Sequence, residues 1–174
     1  LRGDLQVIGY ASKVKRRIAA SATRYEVGEP LHSVATYSSG VASANTFVLA
    51  AADTPVIGTH SFGGVALSFC QPFSTGTVVA HTAWASCPVP NIGLIRGKGE
   101  TFANVDTDSE ILGIIMDVTL IDYNATGASD GGELYTIKDT ASADTSGLTI
   151  VDGNAAKGTL DVTIDARAYR TDVS

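Results

Sequence analysis

The sequence predicts a mainly β protein, with a single β-barrel or β-sandwich body at residues 29–174 behind an extended basic N-terminal arm at residues 1–28. Three observations carry this. Eighteen glycines stand beside abundant Thr and Val, a mixture that favours strands and turns over helices. In residues 159–170 Leu160, Val162, Ile164, Ala166 and Ala168 alternate with Thr159, Asp161, Thr163, Asp165, Arg167 and Tyr169, the period of a half-buried strand. Turn clusters such as Ser38-Ser39-Gly40 and Ser74-Thr75-Gly76 punctuate the apolar stretches between them.

The elements follow in chain order. Leu5, Val7, Ile8 and Tyr10 read as a short strand able to pair with a neighbour's sheet. Residues 13–22 have weak helical character, and Gly28 with Pro30 closes the arm. Strands are expected at 31–37, 46–51, 62–69, 77–84 and 99–103. Cys87-Pro88-Val89-Pro90 holds two prolines and reads as an extended crossing segment, not a central strand. Met116, Val118 and Leu120 alternate with Asp117 and Thr119 in a strand entered at Ile111, and 134–138 is another strand after a Gly/Ser/Asp loop. Residues 147–151 lead through Asp152-Gly153-Asn154 into the last strand as a hairpin.

Composition bounds the function. The 174 residues suit one domain with an arm, and a hydrophobic fraction of 44% excludes wholesale disorder. The most apolar stretch, residues 111–121, is too short to span a bilayer and is broken by Asp117, so no membrane role is expected. No secretory leader is visible. A chain opening at Leu1 without Met is expected to be a processed or partial product. Cys70 and Cys87 are too few to define a disulfide framework.

Charge is the most uneven property. Arg2, Lys13, Lys15, Arg16, Arg17 and Arg24 are six of the twelve cations, and Asp4 is the one acid among the first 24 residues. That segment therefore carries +5 and leaves −11 on the remaining 150 residues. Such asymmetry fits an assembling protein whose cations meet an acidic partner or an acidic neighbouring copy. Direct nucleic-acid contact is not expected, because the acidic body repels phosphate and aromatic residues are sparse.

No catalytic or metal site is expected. His32, His60 and His81 lack the paired spacings of a zinc site, even with Cys70 and Cys87. Asp106, Asp108 and Glu110 lack the glycine and distal glutamate of a calcium loop, and read as a solvated turn. The phrase Gly58-Thr59-His60-Ser61-Phe62-Gly63-Gly64 is neither a nucleophile elbow nor a phosphate loop; its glycines fit a turn or bulge entering a strand. Asp117 needs a partner such as Arg167 or Arg170 if buried. Arg2-Gly3-Asp4 is a chance-level adhesion tripeptide, and Asn124-Ala125-Thr126 a sequon relevant only to a secreted chain.

A family likeness follows. The basic arm leading to Tyr25-Glu26-Val27-Gly28-Glu29-Pro30 resembles the start of tailed-phage head proteins that decorate or cement an icosahedral shell. The phrases Pro55-Val56-Ile57-Gly58 and Phe62-Gly63-Gly64-Val65-Ala66 are similar to their glycine-rich β bodies, and the run 158–167 is similar in style. The resemblance implies a non-enzymatic virion protein without cofactors, trimeric, seated on the major capsid protein at the capsid surface. The residues expected to meet partners are Leu5, Val7, Ile8, Tyr10, Lys13, Lys15, Arg16, Arg17 and Arg24. An extracellular filament or surface-layer subunit assembling by strand donation is the alternative, and a carbohydrate-binding β-sandwich comes third, with the lone Trp84 a weak basis for glycan stacking.

Overall fold

The computed structural model describes residues 5–18, 27–38, 41–49, 61–67, 81–99, 106–113, 117–122, 135–138 and 147–169. They form nine strands: β1 (Gln6–Ile18), β2 (Pro30–Ser38), β3 (Val41–Leu49), β4 (Ser61–Ala66), β5 (His81–Lys98), β6 (Asp117–Asp122), β7 (Tyr135–Lys138), β8 (Leu148–Asn154) and β9 (Thr159–Ile164). One short helix, α1 (Asp108–Gly113), lies between β5 and β6. The protein is mainly β, as the composition predicts. The strand order is β1-β3-β2-β4-β5-β9-β8-β6-β7, with a further pairing between β1 and β5. Among the described residues the nine-stranded sheet as a whole is not closed.

β5 organises the molecule. β1 runs antiparallel along it from Gln6 opposite Arg96 to Ile18 opposite His81. β4 pairs with the first half of β5, through Val65 with Ser86 and Ala66 with Ala85. β9 pairs with the second half, from Leu94 opposite Thr163 to Lys98 opposite Thr159. The first 18 residues are thus not an arm standing off the body where they are described. Leu5 is 2% exposed in the core, and Val7 packs against it. The helical tendency of 13–22 is overridden across 13–18, where pairing with β5 continues to Ile18. Removing residues 1–24 would therefore strip a strand and a core residue from the body.

The prolines of 87–90 sit inside the longest strand, contrary to the crossing segment expected from sequence. Gly9 faces Gly93 and Ala11 faces Pro88, so Tyr10 alone opposes residues 89–92. This wide bulge opens the ladder where Pro88 and Pro90 have no N–H to give. Asn91 takes φ 64° within it. Gly93 is required because a Cβ there would lie 2.6 Å from Val89 N and 2.8 Å from Pro88 Cβ. The Tyr169 hydroxyl donates to the Pro88 carbonyl at 2.6 Å and fixes the near end of the bulge.

The main core lies where β5, β8 and β9 meet α1, β6 and β7. Leu160, Val162 and Ile164 are fully buried, as their alternation predicts. Asp161, expected to face solvent, is also buried, because its side of β9 is covered by Arg96 of β5. The expected strand at 166–170 is instead a 3-10 turn, Ala166–Tyr169, whose Ala168 closes the core. The β8–β9 connection also differs. Residues 152–154 remain in β8 beyond a register shift, and the turn is Ala155–Lys157, capped by Asn154 Oδ1 and ended by Gly158 at φ 60°.

The entry to the acidic run is a helix, not a solvated turn into a strand at Ile111. Thr107 is its N-cap. Its carbonyl accepts from Ile111 N, its hydroxyl lies 3.4 Å from Glu110 N, and its own N–H donates to Glu110 Oε2 at 3.2 Å. That reciprocal T-x-x-E box turns Ile111 into the core at 2% exposure. The described end of the glycine phrase, residues 61–64, holds a bulge. Leu31 faces Gly64 and His32 faces Phe62, leaving Gly63 as the extra residue. A second, smaller core joins Leu31, Ala66, Ala85 and Cys87, with Val14 of β1 packed against it. The Cys87 thiol donates to the Gly63 carbonyl at 3.4 Å, and Cys70 lies outside the described residues.

Candidate partner-binding face

Period two along β1 divides its residues at the β5 ladder. Val14 lies opposite Ala85 and turns inward, while Lys13 and Lys15 turn outward opposite Ser86 and Trp84. The Lys13 ammonium lies 4.8 Å from the Trp84 ring centroid and the Lys15 ammonium 5.1 Å. Two ammonium groups thus share one indole, a contact that holds flexible side chains at modest cost. Trp84 is itself 38% exposed, so the cations are presented to solvent rather than consumed by the fold.

The neighbouring strand extends this face. Leu67 N donates to the Trp84 carbonyl at 2.8 Å, and Leu67 is 41% exposed. Leu67 also borders a half-open cavity of about 220 Å³, lined by Leu5, Gln6, Val27, Gly28, Val65 and Ala66. The wall at 27–28 is tied to β4 by Gly28 N donating to the Ala66 carbonyl and Ala66 N donating to the Glu29 carbonyl. Further along β1, Tyr10 is 70% exposed and Ile92, in the facing bulge, 56%.

The expected partner residues separate on this framework. Lys13, Lys15 and Tyr10 are displayed. Leu5 is buried and Val7 and Ile8 are half-buried, so these three serve the chain's own sheet. Arg16 and Arg17 pair through their backbones with Ala83 and Thr82. Arg24 lies outside the described residues, as do Arg2-Gly3-Asp4, His60 and the 124–126 sequon. Trp84 and Leu67 carry no sequence signal as neighbours of the cations. The β1–β5 register brings Trp84 to the cations and the β4–β5 pairing brings Leu67 to Trp84, and no local pattern encodes either.

Two other charged groupings are structural. Arg96 and Asp161 lie directly opposite on β5 and β9 and form a bidentate pair, with Nε to Oδ1 and Nη2 to Oδ2 each at 2.7 Å. The hydrogen bond and charge of Asp161 hold the Arg96 proton more firmly than usual. At α1, the Thr107 hydroxyl and then Asp106 hold Glu110 below the ordinary carboxylate range, while sharing a hydrogen bond with Glu110 pushes Asp106 up. Among the described residues no three His, Cys, Asp or Glu gather as a metal site, and no helix is long and apolar enough to cross a membrane. No protein-family model matches the chain, and no curated protein matches it.

Proposed function

We propose that this chain is a structural protein of an icosahedral phage head, decorating and stabilising the shell by binding the major capsid protein and neighbouring copies. The observation that carries the reading is the outward display of Lys13 and Lys15 over Trp84 on a β body whose remaining 150 residues carry −11. A cation pair on a rigid sheet face suits an acidic protein surface, whereas phosphate would be repelled by the rest of the body. The tether expected of a free arm becomes a face built into the sheet. Each exposed ion pair adds only about 0–1 kcal/mol. Many copies on one lattice raise the effective concentration of every contact, so weak pairs suffice to hold the layer.

Strand donation to a fibre is less well supported, because residues 6–9 and 11–18 pair with the chain's own β5. The test is to purify particles from the cells that make the protein and measure its stoichiometry against the major shell protein. A fixed ratio on closed shells is expected. Recovery only as free protein or in a helical fibre contradicts the reading.

A further inference from the structure

The side of β1 turned away from β5 is an open sheet edge. Among the described residues its one pairing is Ile18 with Phe47 of β3, and no described strand pairs there from Gln6 to Arg16. The ladder shows which backbone groups face outward. The Trp84 carbonyl accepts from Leu67 N on the β4 side, so the backbone of the residue opposite, Lys15, points away from β5. Pro88, opposite Ala11, has no N–H, and its carbonyl accepts from the Tyr169 hydroxyl, which fits the same alternation. Lys13, midway between Ala11 and Lys15, therefore also turns its N–H and C=O outward, while Ser12 and Val14 face β5. Ala11, Ser12, Lys13 and Lys15 are exposed and Val14 is half-buried, so solvent reaches this edge. A bare edge of this kind is a template for another strand.

We propose that this edge, at Lys13 and Lys15, receives an extended acidic segment of a partner protein as an added strand with an acid–apolar–acid alternation. Period two sets the pattern. Lys13 and Lys15 share the outer face with Trp84, so two acids two residues apart on the added strand stand beside them. The residue between those acids falls on the inner face next to Val14, which packs against the second core, and is apolar. Charge also chooses between occupants. The β1 of a second copy would bring the same basic run, +5 over its first 24 residues, against this one. Lysines on an open edge repel another basic edge and admit an acidic strand. This contact gives the cationic face of the proposed head protein a mode of binding, and rests on that reading.

Amide hydrogen exchange by NMR on the full chain tests it, with two synthetic peptides titrated to millimolar concentration. One alternates glutamate with valine; its isomer has the same composition with the glutamates in adjacent pairs. In the free protein the Lys13 and Lys15 amides should exchange fast beside a slow Val14 amide. The alternating peptide should slow both lysine amides and bind about tenfold more tightly than its isomer, the worth of two opposite-charge cross-strand pairs. N-methylation of the peptide amides that face β1 should abolish the protection, and methylation of the alternate amides should not. Lys13→Gln/Lys15→Gln should erase the preference between the peptides. Lysine amides already slow in the free monomer overturn the proposal, because another segment of the chain then holds the edge. Protection that grows with protein concentration and no peptide assigns the edge to a second copy and also overturns it. So does failure of both peptides to bind. Equal binding of the two, or binding without protection at the lysines, leaves only charge attraction: the added strand is refuted and the acidic-surface reading stands. Particle loading is scored separately. Protection by the alternating peptide without loading contradicts the head-protein role and leaves this contact standing.

Discussion

Replacing Arg96 by Met should lower stability by about 2 kcal/mol, between the cost of breaking a buried ion pair and that of losing an exposed one. The geometry sets the figure. Both hydrogen bonds are 2.7 Å long, and the Asp161 side chain is 5% exposed against 49% for Arg96. A carboxylate stripped of its partner in a dry interior costs about 3–5 kcal/mol. Water already reaches the guanidinium side of this pair and can follow into the vacated space, which removes about half of that penalty. At about 2–4 °C per kcal/mol for a domain of this size, the thermal midpoint should fall by about 4–8 °C. Urea unfolding of Arg96→Met, Asp161→Asn and the double variant provides the assay, with a coupling of about 1–2 kcal/mol expected for residues in direct contact. Strictly additive costs, or an Arg96→Met midpoint equal to wild type, would refute the claim that this pair fastens β5 to β9.

Two further outcomes follow from local geometry. Gly93→Ala forces a Cβ against the backbone of the bulge and should cost about 1–3 kcal/mol in urea unfolding, whereas Gly9→Ala meets only the Ile92 carbonyl at 3.8 Å and pays chiefly for its positive φ. Thr107→Ala should cost about 1 kcal/mol through the lost N-cap. It should also move the Glu110 titration, followed by NMR, up toward the ordinary carboxylate range. Because Glu110 is depressed in the folded protein, its contribution is present above its unfolded pKa and lost as pH falls through the folded value. That acid-side loss should shrink in the variant.

The fold class and the last core strand were legible because period-two alternation is a local signal, and Leu160, Val162 and Ile164 are buried as it requires. The β5 prolines misled because their tolerance depends on a bulge set by the opposing Gly9 and Tyr10, far away in sequence. Asp161 misled for a related reason. Its burial is decided by Arg96, 65 residues earlier. At the candidate site the cations were legible as a charge run, but their setting was not. Lys13 and Lys15 acquire Trp84 only through the β1–β5 register, and the same pairing takes Leu5 and Val7 into the core. The T-x-x-E box at Thr107 was a readable helix-start signal, masked because an acidic run suits a solvated turn equally well.

The most direct test of the central claim, that Lys13 and Lys15 on Trp84 form the surface that holds this protein to its assembly, is the loading of Lys13→Gln/Lys15→Gln onto particles purified without the wild-type copy. The double variant removes two exposed charges and their contacts with Trp84 but no core contact, so it should stay folded with its unfolding midpoint lowered by only about 2–8 °C. Its occupancy should fall sharply, and the salt sensitivity of wild-type loading should vanish with it. Full occupancy by the folded double variant, with the salt dependence unchanged, would contradict the claim.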